Sequence, residues 1–110
     1  RLTRHLISQE ELDLMKKSAI LINTCRGGVV DENALIKTLE SKKIRAAGLD
    51  VTEVEPIEEN NPLLKLSNVI LTPHLATRAK QSEVNAMHNV LANASRVIEN
   101  KEPEWVVEPV

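Results

Sequence analysis

Three short apolar runs divide this chain, and polar or turn-forming residues follow each of them at once. They are residues 19–23 (AILIN), 45–51 (RAAGLDV) and 68–71 (NVIL). The first run has no polar alternation, which predicts a strand covered on both faces. Because helical patterns separate the first two runs and follow the third, the chain predicts an α/β fold with a parallel sheet.

Helix signals agree with this order. Ser8 and Glu11 have the spacing of a capping box. Asp31 stands at an N-cap position before apolar residues at helical spacing. Residues 77–100 predict one long helix with an apolar stripe. The segment 52–67, with its two prolines and four glutamates, predicts a surface loop.

Composition limits the classes of partner. The 110 residues have room for one small domain, and the net charge of -2 disfavours binding to nucleic acid or to an anionic membrane. No apolar run approaches the ~18 residues of a membrane span, and the first residues lack a signal peptide's apolar stretch. The single cysteine, Cys25, cannot form an internal disulfide, which suits the reducing cytoplasm. We therefore expect a soluble cytoplasmic protein with no nucleic-acid or membrane partner.

The residues just after each predicted strand are the candidates for chemistry, because ligands bind at the carboxyl ends of parallel strands. Arg26 follows the first strand and carries a planar fork of donors that can grip a carboxylate. Glu55 follows the second strand and His74 the third. Taken singly, each has an ordinary explanation: a surface arginine in a turn, a solvated loop carboxylate and a structural histidine.

Taken together, the three residues favour a shared cleft, because side chains that follow different strands of one parallel sheet can converge. Arg26 can hold a substrate carboxylate and His74 can transfer a proton near neutral pH. Glu55 can orient the histidine and favour its charged form. The combination predicts an active site.

Other candidates carry less weight. Cys25 lies beside Arg26, but no partner base follows from the sequence, so we interpret it as lining the site and not as a nucleophile. His5 and His88 are interpreted as surface or helix-face residues. His74 has no Cys or His at ligand spacing, which disfavours a metal site.

Three blocks cover most of the chain: ILINTCRGGVVDENAL, AAGLDVTEVEP and NPLLKLSNVILTPHLA. In this order and near this spacing they resemble the D-isomer-specific 2-hydroxyacid dehydrogenases. Within that family the likeness is nearest to glyoxylate/hydroxypyruvate reductases and phosphoglycerate dehydrogenases. The resemblance implies hydride transfer between NAD or NADP and a small 2-keto or 2-hydroxy acid.

The resemblance also implies roles for single residues. Arg26 matches the family residue that binds the substrate's carboxylate and carbonyl. His74 matches the acid/base that protonates the carbonyl oxygen, and Glu55 matches the acid that hydrogen-bonds this histidine and keeps it protonated. Asp50 matches a carboxylate near the nicotinamide carboxamide. The implied cofactor-binding set is Thr24, Cys25, Arg26, Asp50, His74, Leu75, Ala76 and Thr77.

By the same analogy we expect a fragment of a chain roughly three times as long. The three glycines form no GxGxxG turn, and neither the ribose-reading residue nor the substrate domain is recognisable. Residues 1–76 would be the C-terminal half of a Rossmann-type parallel sheet with covering helices, the distal part of an NAD(P)-binding domain. Residues 77–100 would be a long return helix, and 101–110 an extended tail leading to a substrate domain. Members of the family are usually homodimers.

Two other interpretations stay open. Some relatives of this fold are corepressor-like proteins that sense NAD and retain the same triad. The sequence could also be an inactive structural fragment, and we expect no activity from the isolated 110 residues.

Overall fold

The computed structural model describes residues 3–106, and the chain divides into two units between Ala76 and Thr77. The first unit contains, in chain order, α1 (Gln9–Leu14), β1 (Ile20–Asn23), α2 (Glu32–Glu40), β2 (Ala46–Leu49) and β3 (Val69–Leu71). Two short 3-10 turns lie at Gly27–Val29 and Pro62–Lys65. The second unit contains α3 (Lys80–Ile98).

The three strands form one parallel sheet in the order β1, β2, β3. The last residues of the strands lie side by side, because Asn23 pairs with Leu49 and Leu49 pairs with Leu71. The residues that follow the strands therefore start from one edge of the sheet. The parallel α/β arrangement predicted from the three apolar runs is confirmed.

Both predicted helix starts are present. The backbone N and the Oγ of Ser8 donate to Oε2 of Glu11 at 2.8 and 2.7 Å. Oδ1 of Asp31 accepts from the amide of Ala34 at 3.0 Å. Each cap satisfies a donor that a helix start would otherwise leave unpaired.

An aliphatic core packs the two helices of the first unit against one face of the sheet. Leu12 of α1 and Leu35 and Leu39 of α2 are no more than 1% exposed. Ala47 and Leu49 of β2 join the same buried cluster. Each such leucine stabilises the fold by roughly 1.5–3 kcal/mol relative to an exposed one.

The other face of the sheet is exposed within residues 3–106. Ile20 and Ile22 of β1 are 52% and 73% exposed, and Ile70 of β3 is 72% exposed. The prediction of a first strand covered on both faces is therefore wrong for the described residues. The physical reason is that the buried cluster formed by α1 and α2 lies on a single face.

The predicted surface loop also needs a correction. Most of the segment 52–67 is exposed, but its 3-10 turn inserts Leu63, 1% exposed, into the core. Oδ1 of Asn61 accepts from the amide of Leu63 at 2.9 Å, and Pro62 occupies the first position of the turn. The Asn-Pro pair fixes the start of the turn, and the buried leucine of the turn holds the loop to the core.

The second unit is a helix followed by a short segment that folds back along it. The predicted helix 77–100 is observed as Lys80–Ile98, with stripe residues such as Val84 and Leu91 exposed. Residues 101–106 turn back along the helix, because the Asn93 side chain bonds both the N and the O of Glu104, at 2.7 and 3.1 Å. This differs from a simply extended tail, and residues 107–110 of that prediction lie outside the described residues.

Among residues 3–106, no helix is both long enough and apolar enough to cross a membrane.

Candidate functional site

His74 and Glu55 form a hydrogen-bonded pair beyond the ends of β3 and β2. Nδ1 of His74 lies 2.9 Å from Oε2 of Glu55, and their side chains are 45% and 40% exposed. The hydrogen bond from His74 is the main cause that lowers the pKa of the Glu55 carboxyl, and the amide of Thr52 adds a weaker bond at 3.3 Å to Oε1. Glu55 is therefore an anion at neutral pH, held against the imidazole ring.

The backbone of His74 is constrained as well as its ring. Its φ is 55°, in the left-handed region that non-glycine residues seldom adopt. The amide of His74 donates to the carbonyl oxygens of Asp50 and Thr72 at 2.9 and 3.0 Å. Uncommon backbone conformations of this kind cluster at functional sites, where the surrounding structure enforces them.

Asp50 organises the turn that carries His74. Its carboxylate is buried, with Oδ1 accepting from the Thr72 hydroxyl and, at 2.8 Å, from the amide of Leu75. Oδ2 accepts from the amide of Ala76 at 2.8 Å. The Thr72 hydroxyl and the Leu75 amide are the leading causes that lower the pKa of Asp50. Both oxygens of Asp50 thus bind the chain's own turn.

Arg26 lies on the exposed turn after β1. Its Nη1 donates to the carbonyl of Cys25 at 2.7 Å. Among the described contacts, it makes no hydrogen bond to His74 or Glu55, although its positive charge adds slightly to the lowering of the Glu55 pKa. The structure thus brings two of the three predicted residues into contact and leaves the third, Arg26, exposed on its own turn.

Asn23 is a functional residue that the sequence reasoning missed. It is 5% exposed, and its Nδ2 donates to the carbonyl of Arg26 at 2.9 Å. Its Oδ1 accepts from the amide and the thiol of Cys25 at 3.1 and 3.0 Å. Asn23 therefore shapes the turn that presents Arg26. The sequence signal for this role is an asparagine at the end of an apolar strand, because a buried amide side chain needs hydrogen-bond partners.

The remaining predicted residues have simpler settings. Thr24 and Cys25 are exposed, and Leu75 and Ala76 contribute backbone amides to Asp50. Thr77 is the first residue of the second unit.

His88 is on the exposed surface of α3, as predicted. The interpretation of His5 as a surface or helix-face residue needs a correction. His5 is half-buried, its Nε2 contacts Oε1 of Glu53, and its Nδ1 lies 3.8 Å from Oδ2 of Asp31. Two carboxylates on separate segments thus hold this ring, which sequence spacing alone could not reveal.

A cleft of about 370 Å³ adjoins the His74–Glu55 pair, and both side chains line it. Most of the other lining is apolar and includes Pro56, Ile57 and Leu71. This volume is in the range of small-molecule pockets. A small molecule in the cleft would lie against the pair.

Several exposed groups lie at the edge of the sheet where the strands end. Thr24, Cys25 and Arg26 are exposed after β1, and Pro73 and His74 are exposed after β3. Ligands of open α/β sheets bind at this edge.

Within residues 3–106 there is no cluster of three His, Cys, Asp or Glu side chains that could hold a metal ion.

Comparison with known proteins agrees with this geometry. The sequence profile described as D-isomer specific 2-hydroxyacid dehydrogenase, NAD binding domain, matches residues 1–76. A glyoxylate reductase of Aeropyrum pernix is 45% identical over 105 residues, which are 96% of this chain and 31% of the relative. A D-3-phosphoglycerate dehydrogenase of Methanocaldococcus jannaschii is 46% identical over 105 residues, 96% of this chain and 20% of the relative.

A solved structure shows the same fold. The D-isomer specific 2-hydroxyacid dehydrogenase from Xanthobacter autotrophicus Py2, crystallised with NADPH and MES, superposes with a TM-score of 0.86 at 40% identity. The match covers 98% of this chain and 44% of that one. The chain thus spans a third or less of the two curated relatives and under half of this structure. On the profile match and these identities, the chain belongs to the D-isomer specific 2-hydroxyacid dehydrogenase family, within its NAD binding domain.

Proposed function

We propose that the protein reduces a small 2-keto acid to a 2-hydroxy acid with NADH or NADPH, reversibly. The observation that carries the proposal is the 2.9 Å contact between Nδ1 of His74 and Oε2 of Glu55. Glyoxylate, hydroxypyruvate and a phosphoglycerate-type acid are the candidate substrates, since relatives are named glyoxylate reductase, glyoxylate/hydroxypyruvate reductase B and D-3-phosphoglycerate dehydrogenase. The bound nicotinamide supplies or accepts the hydride.

In the proposed reaction His74 supplies the proton. Because Nδ1 is engaged by Glu55, Nε2 is the ring atom that remains to donate to the substrate's carbonyl oxygen. The hydrogen bond to Glu55 fixes the direction of the ring that must give up a proton in reduction. In the reverse direction the neutral ring accepts the hydroxyl proton.

Arg26 is proposed to bind the substrate carboxylate. Among the contacts of residues 3–106, its guanidinium uses one donor, in the bond to the Cys25 carbonyl, so a pair of parallel donors remains for a carboxylate. Asn23 fixes the backbone of this turn through the Arg26 carbonyl. The side chain can therefore turn toward substrate while its base stays in place.

For the cofactor, the exposed turns after β1 and β3 are proposed to hold the nicotinamide end. Asp50 contributes by ordering the backbone from His74 to Ala76 through hydrogen bonds accepted from the amides of Leu75 and Ala76, and it accepts a third from the Thr72 hydroxyl. Residues 1–76 would then serve as the distal part of an NAD(P)-binding domain, and a homodimeric whole protein follows from the family analogy.

The test is an assay on the full-length protein in which this sequence occurs. NADH and NADPH oxidation is followed at 340 nm with glyoxylate or hydroxypyruvate, and NAD reduction with D-3-phosphoglycerate. We expect turnover with at least one acid, abolished by His74→Ala. Tight NADH binding without turnover on any 2-keto acid would contradict the proposal and favour an NAD-sensing binding protein.

A further inference from the structure

We propose that Glu32 is a positioning residue, which holds the segment 52–55 so that the Glu55 carboxylate reaches His74. The inference rests on the proposed acid/base function of the His74–Glu55 pair. Glu32 does not touch the pair; it acts through the backbone that leads to Glu55.

Both carboxylate oxygens of Glu32 bind the loop that carries Glu55. Oε2 accepts from the amide of Glu53 at 2.9 Å, and Oε1 accepts from Nδ2 of Asn61 at 2.8 Å. Glu32 is half-buried and is the first residue of α2. The helix, packed in the core, is thus a rigid anchor for the two ends of this loop.

Gly27 fixes the same peptide by close contact. A Cβ atom added at Gly27 would lie 1.9 Å from the carbonyl oxygen of Thr52 and 2.6 Å from the amide nitrogen of Glu53. The peptide between Thr52 and Glu53 therefore rests directly on the Gly27 backbone. The peptide is thus held both by contact with the Gly27 backbone and by the hydrogen bond from the Glu53 amide to Glu32.

The fixed peptide is linked to Glu55 through Thr52, whose carbonyl belongs to it. The amide of Thr52 donates to Oε1 of Glu55 at 3.3 Å, and the Thr52 hydroxyl donates to the carbonyl of Val54 at 2.8 Å. Displacing the Thr52–Glu53 peptide would therefore displace the Glu55 carboxylate relative to His74. Because acid/base catalysis depends on the distance and direction of the proton transfer, such a shift lowers turnover.

A purely structural role for Glu32 is the alternative. A carboxylate in the first turn of a helix stabilises that helix by its charge alone. Glu32→Asp keeps this charge but shortens the side chain by one methylene, so its oxygens fall short of the Glu53 amide. Glu32→Gln loses the charge and keeps an amide oxygen that can accept from Glu53, but its NH₂ group then faces Nδ2 of Asn61, so that second bond is lost. The two variants separate position from charge.

The experiment compares kcat and KM of these variants in the full-length protein, with Glu40→Ala at the far, exposed end of α2 as the matched control. Positioning predicts that Glu32→Asp and Glu32→Ala lose about 10- to 100-fold in kcat with little change in KM. Glu32→Gln should recover most of that loss, and Glu40→Ala should behave as the parent. The opposite order, with Glu32→Asp active and Glu32→Gln impaired, would overturn the inference.

A double variant shows whether Glu32 acts through Glu55. With Glu55 already changed to Gln, Glu32→Asp should cause no further loss of kcat. An equal loss in both backgrounds would mean that Glu32 acts elsewhere.

If the protein proves not to be a dehydrogenase, ¹³C NMR of labelled glutamate carboxyls still tests the geometry. The pKa of Glu55 should rise toward its ordinary value in Glu32→Asp but not in Glu32→Gln, and an unchanged pKa in a folded Glu32→Asp protein would reject the coupling.

Discussion

Nδ1 of His74 lies 2.9 Å from Oε2 of Glu55, although the two residues are 19 positions apart in sequence. Each belongs to a segment fixed by a carboxylate: the buried Asp50 accepts three hydrogen bonds from the turn of His74, and the half-buried Glu32 binds the loop of Glu55. The contact is therefore preset by the fold, and in the proposed reaction it leaves Nε2 of the histidine as the atom for proton transfer.

Glu55→Gln should lower turnover and change its pH dependence. The hydrogen bond from His74 lowers the pKa of Glu55, so the carboxylate is present above that lowered value and is lost as pH falls through it. We expect kcat/KM for keto-acid reduction to drop on the acid side in the parent, and this drop to disappear in Glu55→Gln. Glu58→Gln, an exposed change in the same loop, is the control. An unaltered profile in Glu55→Gln would contradict the assigned role.

Asp50→Asn should destabilise the fold and remove part of its acid sensitivity. The folded-state pKa of Asp50 is lowered by the Thr72 hydroxyl and the backbone amides. Its stabilising contribution is thus complete above the ordinary carboxyl pKa and is lost as pH falls through the lowered value. In the asparagine variant an NH₂ group must face the amide of Leu75 or of Ala76. Thermal unfolding should show a lower Tm at pH 7 and a smaller difference from the parent at pH 3; equal Tm values at pH 7 would count against this.

Gly27→Ala and Gly28→Ala should differ sharply. A methyl group at Gly27 would overlap the carbonyl of Thr52, whereas at Gly28 its nearest neighbour is Nη1 of Arg4 at 3.6 Å. We expect Gly27→Ala to lower the free energy of unfolding by roughly 1–3 kcal/mol or more, and Gly28→Ala to be nearly neutral. Urea denaturation of both variants measures this, and similar stabilities would show that the contact at Gly27 relaxes without cost.

Much of the fold was predictable because its signals are local. The apolar runs indicate the strands, and Asp31 marks the start of α2 with its side chain on the Ala34 amide. The rule that ligands bind at the carboxyl ends of parallel strands is enough to single out Glu55 and His74 from the sequence.

What could not be predicted depends on contacts between distant segments. The exposed face of Ile22 and Ile70 depends on which face the helices cover, and strand periodicity alone does not decide that. The burial of Leu63, the bond from Glu53 to Glu32 and the placement of His5 between two acids likewise join residues far apart in sequence.

Arg26→Lys should weaken both substrate binding and turnover. A lysine keeps the charge but cannot offer two parallel donors to a carboxylate. We expect KM for the keto acid to rise and kcat to fall, each by about 10-fold, from the loss of one charge-assisted bond. Arg45→Lys, an exposed change just before β2, should leave both constants unchanged. Parent-like constants in Arg26→Lys would exclude a bidentate role.

The most direct measurement is the kcat of His74→Ala for reduction of a 2-keto acid, taken together with the Kd for NADH, in the full-length protein. If His74 is the proton donor, kcat falls by about 100-fold or more while the Kd for NADH stays close to that of the parent. His88→Ala, on the exposed surface of α3, should change neither value. A His74→Ala protein that retains parent-like kcat would contradict the central claim that this histidine, held by Glu55, transfers the proton.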